Sequence, residues 1–371
     1  MQTSTEYDSN LLLAEALGAA GDNFKNLAEK AIETIAPAQK AQYQATSAAD
    51  EINLLYDSIK ESTRDPAAST GFDILDRNLD GGLYPGLYIL GALSSLGKTT
   101  LALQLADNLA QQDRNVIIFT LEMSKVELMS KSISHLTYRL SGNKKDAKTA
   151  RGIVYGPRYK YYSQREKDLI ERAIDKYKTF AKHIFFHEGI GNIGTEQIKE
   201  ITKKHISITG KKPVIIIDYL QMLAPYNTRG TDKQNIDKSI LELKRLSRDC
   251  NIPVIAISSF NRDSYRENST SKGRASLAAF KESGAIEYNA DVLIGLEFAS
   301  AGEKEYSERE AKRKYPREIK LVIMKNRGFE AWQEIMFKYY TRFNFYEEWK
   351  RVELEQDEKG ADSFKNIRQR P

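Results

Sequence analysis

Between Ala92 and Thr99 the chain reads A-L-S-S-L-G-K-T, with Leu87-Tyr88-Ile89-Leu90 before it and Thr100-Leu101-Ala102-Leu103 after it. An apolar run, a loop of small residues ending in Gly-Lys-Thr and a helical pattern allow one local arrangement: strand, phosphate-binding loop, helix. Gly97 permits the tight turn that aims successive backbone N–H groups at phosphate oxygens, and the new helix adds the positive end of its dipole. Lys98 is within reach of the β- and γ-phosphates, and the Thr99 hydroxyl is the expected Mg²⁺ ligand. Ala92, Ser94, Ser95, Gly97, Lys98, Thr99 and Thr100 therefore form the expected nucleotide cradle. Ala92 stands where the motif usually begins with glycine, and Gly91 precedes it.

Beyond this loop, apolar runs at Val116–Leu121, Ile184–Phe186, Val214–Ile217, Pro253–Ile257 and Val292–Leu296 alternate with helical patterns. The helical patterns cover Val126–Tyr138, Glu196–Ile206 and Asn235–Cys250. Such alternation predicts an α/β fold with mostly parallel strands joined by crossover helices. Ile319–Met324 and Trp332–Tyr339 are expected as antiparallel additions at one sheet edge, and helical content is expected to end near Lys350. Three segments follow: a short α-helical segment over 1–65, a body over 66–350 and a polar tail over 351–371. The first carries apolar residues at helical spacing, including Leu12, Leu13, Leu17, Leu27 and Ile32, then the stripe Ile52, Leu55, Tyr56 and Ile59. It is too short for a substantial core of its own.

Composition narrows the setting. A single cysteine, Cys250, excludes an intrachain disulfide and fits a reducing compartment. No secretory signal pattern and no membrane-length apolar run is visible, so a cytoplasmic protein is expected. Residues 1–62 carry a net charge of −6 and the remainder +11, which suggests a polyanionic partner for the body.

A nucleotide hydrolase also needs a carboxylate near the metal, a base for water and cations for the transition state. Asp218 closes the apolar run Val214–Ile217, where doubly wound sheets place their ligands, and pairs naturally with Thr99. The bland reading of an aspartate there is a helix N-cap. Glu122 follows another buried run and is either a base for attacking water or a first-turn residue favoured by the helix dipole. Lys325 and Arg327 close a late strand as either phosphate-directed cations or ordinary exposed charges.

Taken in order, these strings resemble the RecA-like ATPase domain of DnaB-type replicative DNA helicases. The resemblance runs from Ser69 to about Phe345 through Ser69-Thr70-Gly71-Phe72, the A-x-x-x-x-G-K-T loop, Leu121-Glu122-Met123 and Ile217-Asp218-Tyr219-Leu220-Gln221. It continues through Pro253–Ser258 with Asn261-Arg262, the E-S-G-x-I-E string at 282–287, Ala290-Asp291 and Lys325-x-Arg327. It implies ATP and Mg²⁺ as cofactors, Glu122 as catalytic base, and Lys325 and Arg327 as fingers acting on a neighbouring subunit's nucleotide. It further implies a homo-oligomeric ring, usually a hexamer, that encircles single-stranded DNA and moves 5′ to 3′ at a replication fork. Two loops matching the family's channel loops hold the cations Arg229 and Lys233, then Arg266, Lys272 and Arg274. A RecA-like, DNA-stimulated ATPase of recombination or mobile elements that unwinds nothing is the alternative.

Two departures stand out. Ser259 occupies a position where the family usually has glutamine. Only 62–68 residues precede the body, so the helical collar that meets primase is expected to be reduced, and with it contacts to primase or a loader.

The stretch 139–182, with thirteen basic and five acidic side chains and four tyrosines between 155 and 162, is either a surface on which single strands stack or, the favoured reading, a solvated peripheral insertion ending in a helix. The four histidines, His135, His183, His187 and His205, form no metal pattern. Cys250 reads as a buried packing residue.

Overall fold

A computed structural model of the chain describes residues 47–62, 67–189, 193–260, 280 and 284–349. The chain divides into two units, Met1–Pro66 and Ala67–Pro371. In the first, the helix Ala48–Ser62 carries the Ile52, Leu55, Tyr56 and Ile59 stripe, and each of these side chains is more than half exposed. The earlier apolar positions and the tail over 351–371 lie outside the described residues.

The second unit is built on a nine-stranded sheet in the order β3-β2-β4-β5-β1-β6-β7-β8-β9. Its strands are β1 (Gly86–Ala92), β2 (Val116–Thr120), β3 (Ile184–Glu188), β4 (Val214–Asp218) and β5 (Pro253–Ser259). They continue with β6 (Val292–Phe298), β7 (Arg317–Asn326), β8 (Gln333–Tyr340) and β9 (Phe345–Glu348). From β3 to β6 every pairing is parallel, and β6 through β9 pair antiparallel. Every residue of β1, β2, β4 and β6 is buried, which is why these strands appear in the sequence as continuous Val/Ile/Leu runs rather than as alternation. The expected order of elements holds, with one correction: helix does not persist to Lys350, because residues 333–348 form the edge strands β8 and β9.

Parallel register brings the functional strand ends together. Ala92 at the end of β1 pairs with Ser259 at the end of β5, and Thr120 at the end of β2 pairs with Asp218 at the end of β4. The helix after β2, Lys125–Ser141, starts at a capping box: Ser124 accepts from the Glu127 N–H, and Glu127 accepts from the Ser124 N–H. Within 139–182, helix Gln164–Ala181 packs on Lys125–Ser141 and is pinned by a half-buried ion pair between Lys148 and Glu166. Tyr162 donates to the Gly152 carbonyl at 2.9 Å, so this tyrosine is structural, whereas Tyr155 and Tyr161 are exposed.

Candidate nucleotide site

The loop between β1 and the helix Lys98–Ala110 turns through two left-handed residues, Ser95 at φ +70° and Gly97 at φ +83°. Gly97 is required twice over. A side chain strains at that φ, and a Cβ there would come within 2.6 Å of the Tyr346 hydroxyl and 2.7 Å of the Tyr339 ring. Gly91 is equally hemmed in, with Phe260 and Phe280 ring carbons 2.4 Å from any added Cβ. Lys98 folds along the loop, donating to the Ala92 carbonyl at 2.8 Å and the Leu93 carbonyl at 3.3 Å. Burial pulls its ammonium down to about 8, while Asp218 and Glu122 draw it back up.

The loop rests on the antiparallel edge of the sheet. Tyr339 and Tyr346 stack face to face with centroids 4.3 Å apart. Tyr346 donates to the Leu96 carbonyl, and the Thr100 and Tyr339 hydroxyls lie 3.3 Å apart. Arg317 donates to the Ser95 carbonyl at 3.0 Å. Gln104 exchanges two hydrogen bonds with the backbone of Tyr346, at 2.8 and 2.9 Å, locking β9 to the helix that carries Lys98.

Asp218 is 4% exposed. Burial raises its carboxyl above the usual range and Glu122 adds to the rise, against a hydrogen bond from Thr99 and the charges of Lys131 and Lys98. A buried carboxylate joined to a threonine hydroxyl is a pair of hard oxygen ligands, which fits Mg²⁺. Glu122 is exposed, one residue beyond Leu121, whose N–H donates to the Asp218 carbonyl at 2.9 Å. The two carboxylates thus stand at adjacent strand ends within electrostatic range, Asp218 buried and Glu122 exposed.

Sequence reasoning missed Lys131. Burial lowers its ammonium while the charges of Asp218, Glu127 and Glu122 oppose the fall, so it is a further cation within electrostatic range of both carboxylates. Its spacing of one helical turn from Glu127 behind a capping box was the available signal. Gln221 was also unassigned. Its amide donates to the Ser258 hydroxyl at 3.1 Å, and its carbonyl oxygen accepts from the Ser259 N–H at 3.4 Å. A carboxamide therefore does stand at the tip of β5, supplied from the segment after β4.

Lys325 and Arg327 do not join this cluster. Arg327 follows β7 where Asn326 pairs with Val292, and Val292 in turn pairs with Tyr88 near the start of β1. The phosphate loop leaves from the other end of β1, about 20 Å away for a strand of this length. In their own chain Lys325 donates to the Glu287 and Tyr288 carbonyls, and Arg327 to the Tyr288 carbonyl. Arg229 and Lys233 are exposed in the loop before helix Asp232–Cys250 and in its first turn. That loop is ordered by Asn235, which accepts from the Asn227 N–H at 2.8 Å and donates to the Asn227 carbonyl at 3.0 Å. Arg266, Lys272 and Arg274 lie outside the described residues. Cys250, expected to be buried, is partly exposed at a helix end and packs against the core. His183 contacts Asn115 and Asp113, and His135 stacks on Phe345. Among the described residues no helix is long and apolar enough to cross a membrane.

Comparison with known proteins shows the family and the fold. Residues 67–348 match the family model described as the DnaB-like helicase C terminal domain. The chain is 31% identical over 237 residues to the replicative DNA helicase DnaB of Helicobacter pylori, an alignment covering 64% of this chain and 45% of that one. It is 27% identical over 299 residues to the DnaB of Geobacillus stearothermophilus, covering 79% and 59%. The chain thus spans about half the length of the curated relatives it matches. A solved ATPase domain superposes with TM-score 0.68 at 22% identity, covering 83% of this chain and all of that one. A DnaB-like replicative helicase, solved in a study of its interactions with primase, gives TM-score 0.65 at 20% identity, covering 92% and 76%. At those identities the likeness is one of fold.

Proposed function

The chain belongs to the DnaB-like helicase C-terminal domain family, and from that membership we propose that it is the ATP-hydrolysing motor of a ring-forming replicative DNA helicase. Its fuel site is divided between subunits. One subunit grips the triphosphate through Lys98 and the backbone of its loop, orients water with Glu122, and adds positive charge from Lys131. The next subunit supplies Lys325 and Arg327 to the developing charge on the γ-phosphate. Thr99 and Asp218 would hold Mg²⁺, which when bound neutralises charge on the phosphate oxygens. Asp218 being buried and raised, a divalent cation beside it would restore its ionised form.

The observation that carries this reading is the distance between the two halves. A complete site cannot be assembled from one copy, because the finger residues stand at the far end of β1 from the loop. A ring of identical subunits brings one copy's far end to the next copy's loop by symmetry. We propose a hexamer that encloses single-stranded DNA, tracked by Arg229 and Lys233 and by the cations at 266, 272 and 274. Such backbone contacts are indifferent to sequence. A primase is the protein partner proposed, by likeness to the helicase solved in that connection.

A forked duplex with a 5′ single-stranded tail tests the assignment. With ATP and Mg²⁺ the wild-type chain should displace the strand, and Glu122→Gln should bind nucleotide and DNA without displacement. Single-strand-stimulated hydrolysis with no displacement from any fork would favour the non-unwinding alternative.

A further inference from the structure

We propose that Asp291, held in place by Lys244, is the positioning residue that presents Arg327 to the neighbouring subunit's triphosphate. The proposal rests on the divided site above and adds to it the part of the chain that aims the finger.

Asp291 lies just before β6, and its carboxylate gathers three groups from three elements. The Leu87 N–H at the start of β1 donates to Oδ2 at 2.7 Å. The Lys244 ammonium, from helix Asp232–Cys250, donates to both oxygens at 2.6 and 2.5 Å. The Arg327 guanidinium stands 3.6 Å from Oδ1. The Arg327 N–H also donates to the Asp291 carbonyl at 2.9 Å, so Asp291 fixes the backbone of the finger and, together with the Tyr288 carbonyl that accepts from the guanidinium, steers its side chain. Gly86 makes room for this arrangement, since a Cβ there would lie 3.1 Å from Oδ2.

The inequality of these contacts is what suits them to positioning. Lys244 occupies both oxygens at close range, while Arg327 sits beyond hydrogen-bond distance. Two close bonds to one carboxylate would tie the guanidinium down and oppose its transfer to a phosphate. A longer contact orients the head group without gripping it; apart from the nitrogen that donates to the Tyr288 carbonyl the guanidinium stays available, and half of the Arg327 side chain is exposed. Lys244 thereby does two things: it fixes the carboxylate and weakens its hold on the finger. A purely structural brace between β1 and the long helix needs only the Leu87 and Lys244 bonds. It gives no reason for the finger to share the same carboxylate.

The test uses the full chain in rings on single-stranded DNA. Asp291→Asn and Lys244→Met should each lower kcat about tenfold while ATP KM and nucleotide binding change less than about twofold, and Lys244→Arg should keep most of the activity. Mixed rings locate the defect. Lys98→Ala subunits lack a working loop but carry intact fingers, so mixing them with either Asp291→Asn or Arg327→Ala subunits should recover turnover, whereas mixing Asp291→Asn with Arg327→Ala subunits, both defective in the finger, should not. Wild-type kcat in both single variants would overturn the proposal. So would an Asp291→Asn defect that Lys98→Ala subunits fail to rescue while they do rescue Arg327→Ala. If Arg327→Ala itself is not rescued, the divided site is wrong and Asp291 with it. Should Asp291→Asn fail to fold, the same mixtures with Lys244→Met decide the matter.

Discussion

Lys98 is held in the phosphate loop by two carbonyl oxygens, and burial outweighs the pull of Asp218 and Glu122 to leave its ammonium at about 8. Its charge in the nucleotide-free chain is therefore lost as pH rises through about 8, and the grip on triphosphate weakens with it. Titrating ATP binding between about pH 7 and 9 should show affinity falling several-fold above that point. Lys98→Ala should bind weakly throughout, with no such inflection. Asp107, on the same helix, poses the opposite case. It is wholly enclosed near Ser132 and Tyr177, its Oδ1 has no hydrogen-bond partner among the described residues, and burial raises it from 3.8 to about 7. The fold then binds a proton that the unfolded chain releases, so stability declines as pH climbs from about 4 to about 7. Asp107→Asn should raise the melting temperature at pH 8, by an amount that shrinks to nothing near pH 4. A variant equally stabilising at both pH values would mean that Asp107 is not protonated in the fold.

At the scale of elements, the phosphate loop is shaped by the far end of the chain. Tyr346 touches Leu96 across 250 residues of sequence, and its ring, stacked on Tyr339, fills the space a Cβ on Gly97 would need. Tyr346→Phe keeps the stack and removes the donor to the Leu96 carbonyl. It should cost about 1 kcal/mol in chemical unfolding and raise ATP KM more than it changes kcat. Gly97→Ala should abolish nucleotide binding in a folded chain. This support was not legible in the sequence, because nothing local marks Tyr346 or Gln104 as partners of the loop. The loop itself, the buried parallel strands and the places of Asp218 and Glu122 were legible, since each depends on a short motif or an uninterrupted apolar run. β9 escaped notice because four residues are too few to display alternation. Gln221 escaped because its bonds to Ser258 and Ser259 exist only where strand ends distant in sequence meet, and Lys131 because its helical spacing from Glu127 does not by itself point to Asp218.

Across the whole molecule, charge and topology make separate demands on assembly. If Arg229 and Lys233 track a phosphate backbone, each alanine substitution should flatten the dependence of log affinity on log salt by about one unit of slope, alike for every single-stranded sequence. Hydrolysis should depend on concentration for a different reason. One copy holds Lys98, Glu122 and Asp218 at one end of β1 and Arg327 at the other, so under the proposed divided site a lone subunit owns two half-sites that cannot meet. Specific ATPase activity should therefore collapse on dilution below the concentration at which rings form and reach a plateau above it. Arg327→Ala should lower that plateau by about a thousandfold, the lower range for an arginine finger, without shifting the concentration at which it is reached. Light scattering on the same samples separates the two effects, since subunit mass should follow activity in the wild type and be unaffected by loss of the finger. Full specific activity in samples of single-subunit mass would mean that each copy completes its own chemistry, and the divided site proposed from the separation along β1 would fall.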